Sequence, residues 1–121
     1  MLWLLVFSIV TGLPPQPPSH PGFIDGARLA ALCSATGADA PSARSLCLGY
    51  VIGSVDQLMA LQADDGRLTV CPPGDLTAED TMKAVVRYAR FASTATSLGA
   101  AGFIRFALED AYPCDPQALA R

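Results

Sequence analysis

The residues best suited to chemistry in this chain are its four cysteines, Cys33, Cys47, Cys71 and Cys114, and its single histidine, His20. No two cysteines stand close enough for the C-x₂₋₄-C knuckle of a zinc site, and His20 lies apart from them in a proline-rich segment. An even cysteine count in a short chain with an apolar leader reads as two disulfides, and hence as an oxidising compartment. If both bridges form, no thiol is left as a nucleophile, and His20 on a linker has no nucleophile to serve. Asp64 and Asp65 are adjacent acids at a helix end, which is the pattern of a solvated turn. Pro72-Pro73-Gly74 lacks a phosphate-loop lysine, and Gly49 with Gly53 is no nucleotide fingerprint. These features argue against an enzyme and call for no metal and no cofactor.

The cysteines must be positioned by a domain that begins some way into the chain. Met1 to Leu13 is apolar and uncharged apart from the terminal amine. It is too short to span a bilayer, which takes about 20 residues, but suits the apolar core of a secretory signal. It lacks a Lys or Arg flank, and Val10-Thr11-Gly12 is its best small-residue cleavage site. Residues 1–13 are therefore expected to be a signal peptide, with an uncleaved leader as the one route to membrane attachment. Residues 14–22 hold five prolines in nine positions and read as a stiff linker. Every charged side chain lies beyond it, leaving one small domain over 23–115 and a tail over 116–121. A net charge of −3 with mixed signs gives no broad basic surface, so nucleic acid is not expected as a partner.

Hydrophobic periodicity predicts helices over about 25–35, 42–61, 78–95 and 99–111. Asp25 and Thr77 are candidate N-caps, and Glu79 and Asp80 complement the dipole of the third helix. Ser97 is the expected cap of the fourth. Gly49 and Gly53 sit one turn apart in the second helix, where each costs about 1 kcal/mol, so the pair predicts close approach of another helix. The fold class that follows is all-α, a small four- to five-helix bundle with two disulfides.

Short connections favour antiparallel neighbours. Cys33 ends the first helix and Cys47 opens the second, while Cys71 precedes the third and Cys114 follows the fourth. Pairings 33–47 and 71–114 bring Cα atoms within bridging range at the two bundle ends, and the crossed pairings do not. Chain entropy assigns them roughly 3 and 4 kcal/mol, comparable with the whole stability of such a domain.

Three strings in this order resemble the Rap/Tai family of immunity proteins. They are Cys47-x-Gly49-Tyr50-x-x-Gly53-x-x-Asp56, Cys71-x-Pro73-Gly74 and Ala111-Tyr112-Pro113-Cys114. The likeness runs over about residues 26–114. It implies a periplasmic, dimeric, disulfide-linked helical protein that inhibits a peptidoglycan amidase effector of type VI secretion by occluding its active site. The alternative is a periplasmic helical binding or chaperone-like protein with no toxin partner. Family members carry a polar, charged stretch between the third and fourth helices, whereas Ser93 to Ala100 is short and uncharged here.

Contact residues are sought on the third helix, which is apolar over much of its circumference and polar along Lys83, Arg87, Arg90 and Thr94. Tyr88, Phe91 and Phe106 are the candidate dimer anchors. Lys83, Arg87 and Arg90, with the Cys71 to Thr77 turn, are the candidate partner contacts. Asp56 is expected to pair with a neighbouring loop, with Arg87 or with Arg105, and Tyr50 to lie in the core with its hydroxyl at the rim.

Overall fold

A computed structural model describes residues 12–15 and 22–115. Most of the expected signal peptide, His20 and the 116–121 tail lie outside the described residues. The domain consists of α1 (Gly26–Cys33), α2 (Ala40–Asp65), α3 (Ala78–Phe91), a 3₁₀ helix (Ser93–Ser97) and α4 (Ala100–Ala111). Four α-helices and one 3₁₀ helix, with no strand among the described residues, make the expected all-α bundle.

Local chemistry explains where each helix starts and stops. The Asp25 side chain accepts from Arg28 N–H at 2.8 Å and caps α1. Pro41 stands in the first turn of α2, where its missing N–H costs nothing, and Gly66 ends that helix at φ 71°, in the left-handed region. Thr77 and Asp80 form a reciprocal capping box at α3: Asp80 N–H donates to Thr77 Oγ1 at 3.0 Å, and Thr77 N–H to Asp80 Oδ2 at 3.1 Å. Hydrogen bonding to the carboxylate from Thr77, its backbone N–H first and its side chain second, holds the Asp80 carboxyl below its ordinary value of 3.8. The third helix stops at Phe91 rather than Ala95, because Ser93–Ser97 tightens into 3₁₀ geometry. Gly99 then precedes α4 without a side-chain cap, so Ser97 does not perform that role. Its hydroxyl donates instead to Thr94 O at 3.1 Å.

The core is built around Phe103, Leu29, Ile104, Leu108, Val51 and Val85, all essentially without exposure. At Gly26, α1 packs tightly on α4: a Cβ there would lie 2.7 Å from Phe103 Cγ. Three backbone hydrogen bonds lock the ends of α4. Gly26 N–H donates to Leu98 O and Ala100 N–H to Ile24 O, which fixes its entrance. Cys71 N–H donates to Tyr112 O at 2.9 Å, which fixes its exit.

Both disulfides form in the expected pairing. Cys33–Cys47 spans 5.1 Å between Cα atoms and Cys71–Cys114 spans 4.8 Å. The packing of α2 on α3 departs from a minimal antiparallel hairpin. The connection from Gly66 to Thr77 doubles back, so Leu76, Thr77 and Ala78 lie beside Val51, Ile52 and Val55 in the middle of α2. Arg44 near the start of α2 then reaches Glu79 near the start of α3 at 2.9 Å. The buried amide of Gln62 anchors that return by binding the backbone of Thr69 and Val70.

Candidate functional site

All four cysteines are in disulfides, and among the described residues no group of three or more His, Cys, Asp or Glu side chains is placed to hold a metal ion. The most strongly patterned surface is α3. Lys83, Arg87 and Arg90 recur at helical spacing; Lys83 and Arg87 stand as a ridge between two depressions, and Arg90 extends it along the first. On the α4 side, Asp80 and Asp110 join the lining, and Arg87 reaches Asp110 at 3.9 Å. Both partners of that pair are well exposed, so it contributes little to stability.

On the α1 side the same three cations rim a groove of about 320 Å³. Met82, Val86 and Cys33 line its apolar part, and Ser34 lies at its end. Met82 and Val86 belong to the apolar stripe of α3, which reads from sequence as bundle core or as a face shared with a second chain. Their role in a groove depends on α1 stopping at Cys33, and a periodicity along α3 alone does not reveal that.

The candidate dimer anchors divide. Tyr88 is half-buried with its ring 5.3 Å from that of Phe103, tilted by 57°, and so belongs to the α3–α4 packing. Phe106 is also half-buried and lies under the Arg105 guanidinium, 4.9 Å from the ring centroid. Phe91 alone of the three is exposed, at 65 %, with Arg87 5.9 Å from its ring centroid.

The motif residues do not form one cluster. Gly49 and Gly53 stand on an exposed face of α2, where an added Cβ at either position meets no atom within 4 Å. Among the described residues no helix packs against them, contrary to the expectation of close approach. With half-buried Tyr50 they border a shallow groove of about 390 Å³ toward Ala101 of α4. Asp56 is exposed beside the N-terminal end of α3 and makes no ion pair among the described residues, where Arg87 pairs with Asp110 and Arg105 with Glu109. Pro73 and Gly74 form the turn before α3, in which Pro73 O accepts from Leu76 N–H. Pro113 lies against Val70 beside the second disulfide. These positions thus fall at three separate places of the fold, and the basic ridge of α3 is separate from them in sequence.

The model of the Rap1a immunity proteins matches residues 25–114, a span that begins at the α1 cap and ends at the last cysteine. Comparison with curated proteins returns no match, and comparison with solved structures returns none either. The matched span contains both disulfides and every helix described above, so the chain belongs to the Rap1a immunity protein family and its role is immunity against a type VI secretion effector.

Proposed function

We propose that this immunity protein acts in the periplasm, where it binds a type VI secretion peptidoglycan amidase and occludes its active-site cleft. The observation that carries the compartment is the pair of disulfides within the family-matched span. Such bridges persist where thiols are oxidised, and Met1 to Leu13 supplies the apolar segment an export signal needs. Cell-wall hydrolysis takes place in that compartment, so the inhibitor meets its target there.

The blocking element is a helix face. Ser93–Ser97 is wound into a 3₁₀ helix between α3 and α4, with the Thr96 and Ser97 hydroxyls donating to the carbonyls of Ser93 and Thr94. A segment closed on itself in this way has little to insert into a cleft, so contact falls to the neighbouring helices.

The test asks first whether an amidase is encoded beside this gene, and then uses that amidase. Exported protein should protect cells from that amidase, whereas the same protein retained in the cytoplasm should not. Purified protein should inhibit it stoichiometrically. Absence of a complex would discard the amidase reading in favour of a periplasmic helical binding module without a toxin partner.

A further inference from the structure

We propose that the groove between the end of α1 and α3 is where this protein grips its partner, and that it takes an acidic segment of that partner: a carboxylate held by Arg87 and Arg90, beside an apolar side chain seated on Met82 and Val86. The proposal rests on the reading that the protein acts by binding another protein, and it adds the location and the chemistry.

Charge is the first support. The chain is acidic overall, at −3, yet three of its eight Lys and Arg residues line this one groove. The groove lining contains no carboxylate, whereas the depression on the other side of the ridge contains Asp80 and Asp110. Within the fold, the groove cations face the C-terminal end of α1, whose last turn carries no basic residue of its own. A helix terminus offers about half a negative charge. Asp110 pairs with Arg87, and Asp80 acts on Lys83 from the far side of the ridge, so Arg90 is left as the groove cation with no ion-pair partner among the described residues. The imbalance calls for an anion from outside.

Shape is the second support. The groove, at about 320 Å³, lies at the small end of binding-pocket volumes and matches one or two side chains. Its apolar part is firm: Met82 is 6 % and Cys33 is 9 % exposed, and Cys33 is tied to Cys47. Arg87 and Arg90 present planar donor forks suited to a carboxylate, and Lys83 adds a point charge along the same ridge. A membrane headgroup layer would call for a broad, flat basic surface without an apolar slot, which an acidic chain with a single basic groove does not provide.

Two measurements test this. In the first, the folded, oxidised protein is titrated with a short Glu/Leu peptide, its Gln/Leu counterpart and phosphatidylglycerol vesicles, with amide chemical shifts as readout. Shifts centred on Ser34, Lys83, Arg87 and Arg90 with the Glu peptide, abolished by the Gln version and by Arg87→Glu with Arg90→Glu, are expected. Equal response to the Gln peptide, shifts scattered over the surface, or a response to vesicles alone would overturn the proposal.

In the second, affinity for the adjacent amidase is compared between the parent, Arg87→Glu with Arg90→Glu, the milder Arg87→Gln with Arg90→Gln, and a control Arg105→Glu on α4. Reversal should weaken the complex by about tenfold or more, the Gln pair less, and the control hardly at all. An unchanged complex with the reversed groove sinks the groove and leaves the amidase reading standing. If the parent forms no complex, the amidase reading falls and the peptide titration alone decides the groove.

Discussion

The Gln62 side chain grips the Val70 backbone from both sides, its Nε2 donating to Val70 O at 2.9 Å and its Oε1 accepting from Val70 N–H at 3.0 Å. The same Oε1 accepts from Thr69 N–H at 3.0 Å. One amide thereby pairs the Val70 N–H and C=O beside the isolated bridge to Pro113 and steers the chain from α2 toward Cys71. Gln62→Leu fills the volume but leaves the buried Val70 groups unpaired. It should cost about 2–3 kcal/mol, within the usual penalty for orphaned buried polar groups. Urea unfolding that shows no loss of midpoint would refute the anchoring role.

The capping box of α3 carries a pH signature. Asp80 is held below its ordinary value of 3.8 by hydrogen bonds from Thr77. A carboxyl depressed on folding adds stability above its unfolded pKa, and that stability is lost as pH falls through the folded one. Asp80→Asn should therefore be less stable than the parent at neutral pH, with the gap closing as pH drops below 3.8. Thr77→Ala, which removes the hydroxyl acceptor, should cost about 1 kcal/mol at neutral pH. A gap for Asp80→Asn that is independent of pH would mean that the carboxylate charge is not its source.

Glycines at 26, 49 and 53 should respond in opposite directions. At Gly26 an added Cβ would lie 2.7 Å from Cγ of the fully buried Phe103 ring, close to its attachment point, so the ring cannot swing aside. Gly26→Ala should destabilise by about 1–3 kcal/mol. At Gly49 and Gly53 the space is open. Each Gly→Ala change there should stabilise the isolated domain by about 0.5–1 kcal/mol through helix propensity. Destabilisation at 49 or 53 that depends on protein concentration would instead show that a second chain covers this face of α2.

Those glycines also mark how far the sequence reaches. The helices, the caps at Asp25 and Thr77 and the cysteine pairing were legible, because periodicity, capping chemistry and bridging distance are local or nearly so. What Gly49 and Gly53 face was not, since a small residue signals room for a neighbour without saying whether that neighbour belongs to the same chain. Gln62 gave no signal either: a lone Gln near a helix end looks like surface until the return of residues 66–77 places Val70 against it. The groove beside α3 was half legible. Its cations show at helical spacing, but its apolar lining requires knowing where α1 ends.

Self-association, implied by the family resemblance, turns on Phe91. Tyr88 cannot serve as a clean test, because its ring packs on Phe103 and a polar replacement would disturb the core. Phe106 is covered in part by Arg105. Phe91, 65 % exposed at the end of α3, is the aromatic that a second protomer can bury without cost to the fold. Phe91→Ser should leave the helical signal and the unfolding midpoint of the dilute protein nearly unchanged. Light scattering should show the parent as a dimer and the variant as a monomer at the same concentration, because loss of a central aromatic anchor weakens an interface by about 2 kcal/mol or more. If Phe91→Ser stays dimeric while Gly49→Leu on α2 yields a monomer, the interface lies on the glycine face instead. A parent that remains monomeric at high concentration would remove the dimer altogether and leave Phe91 as an exposed flank of the basic ridge.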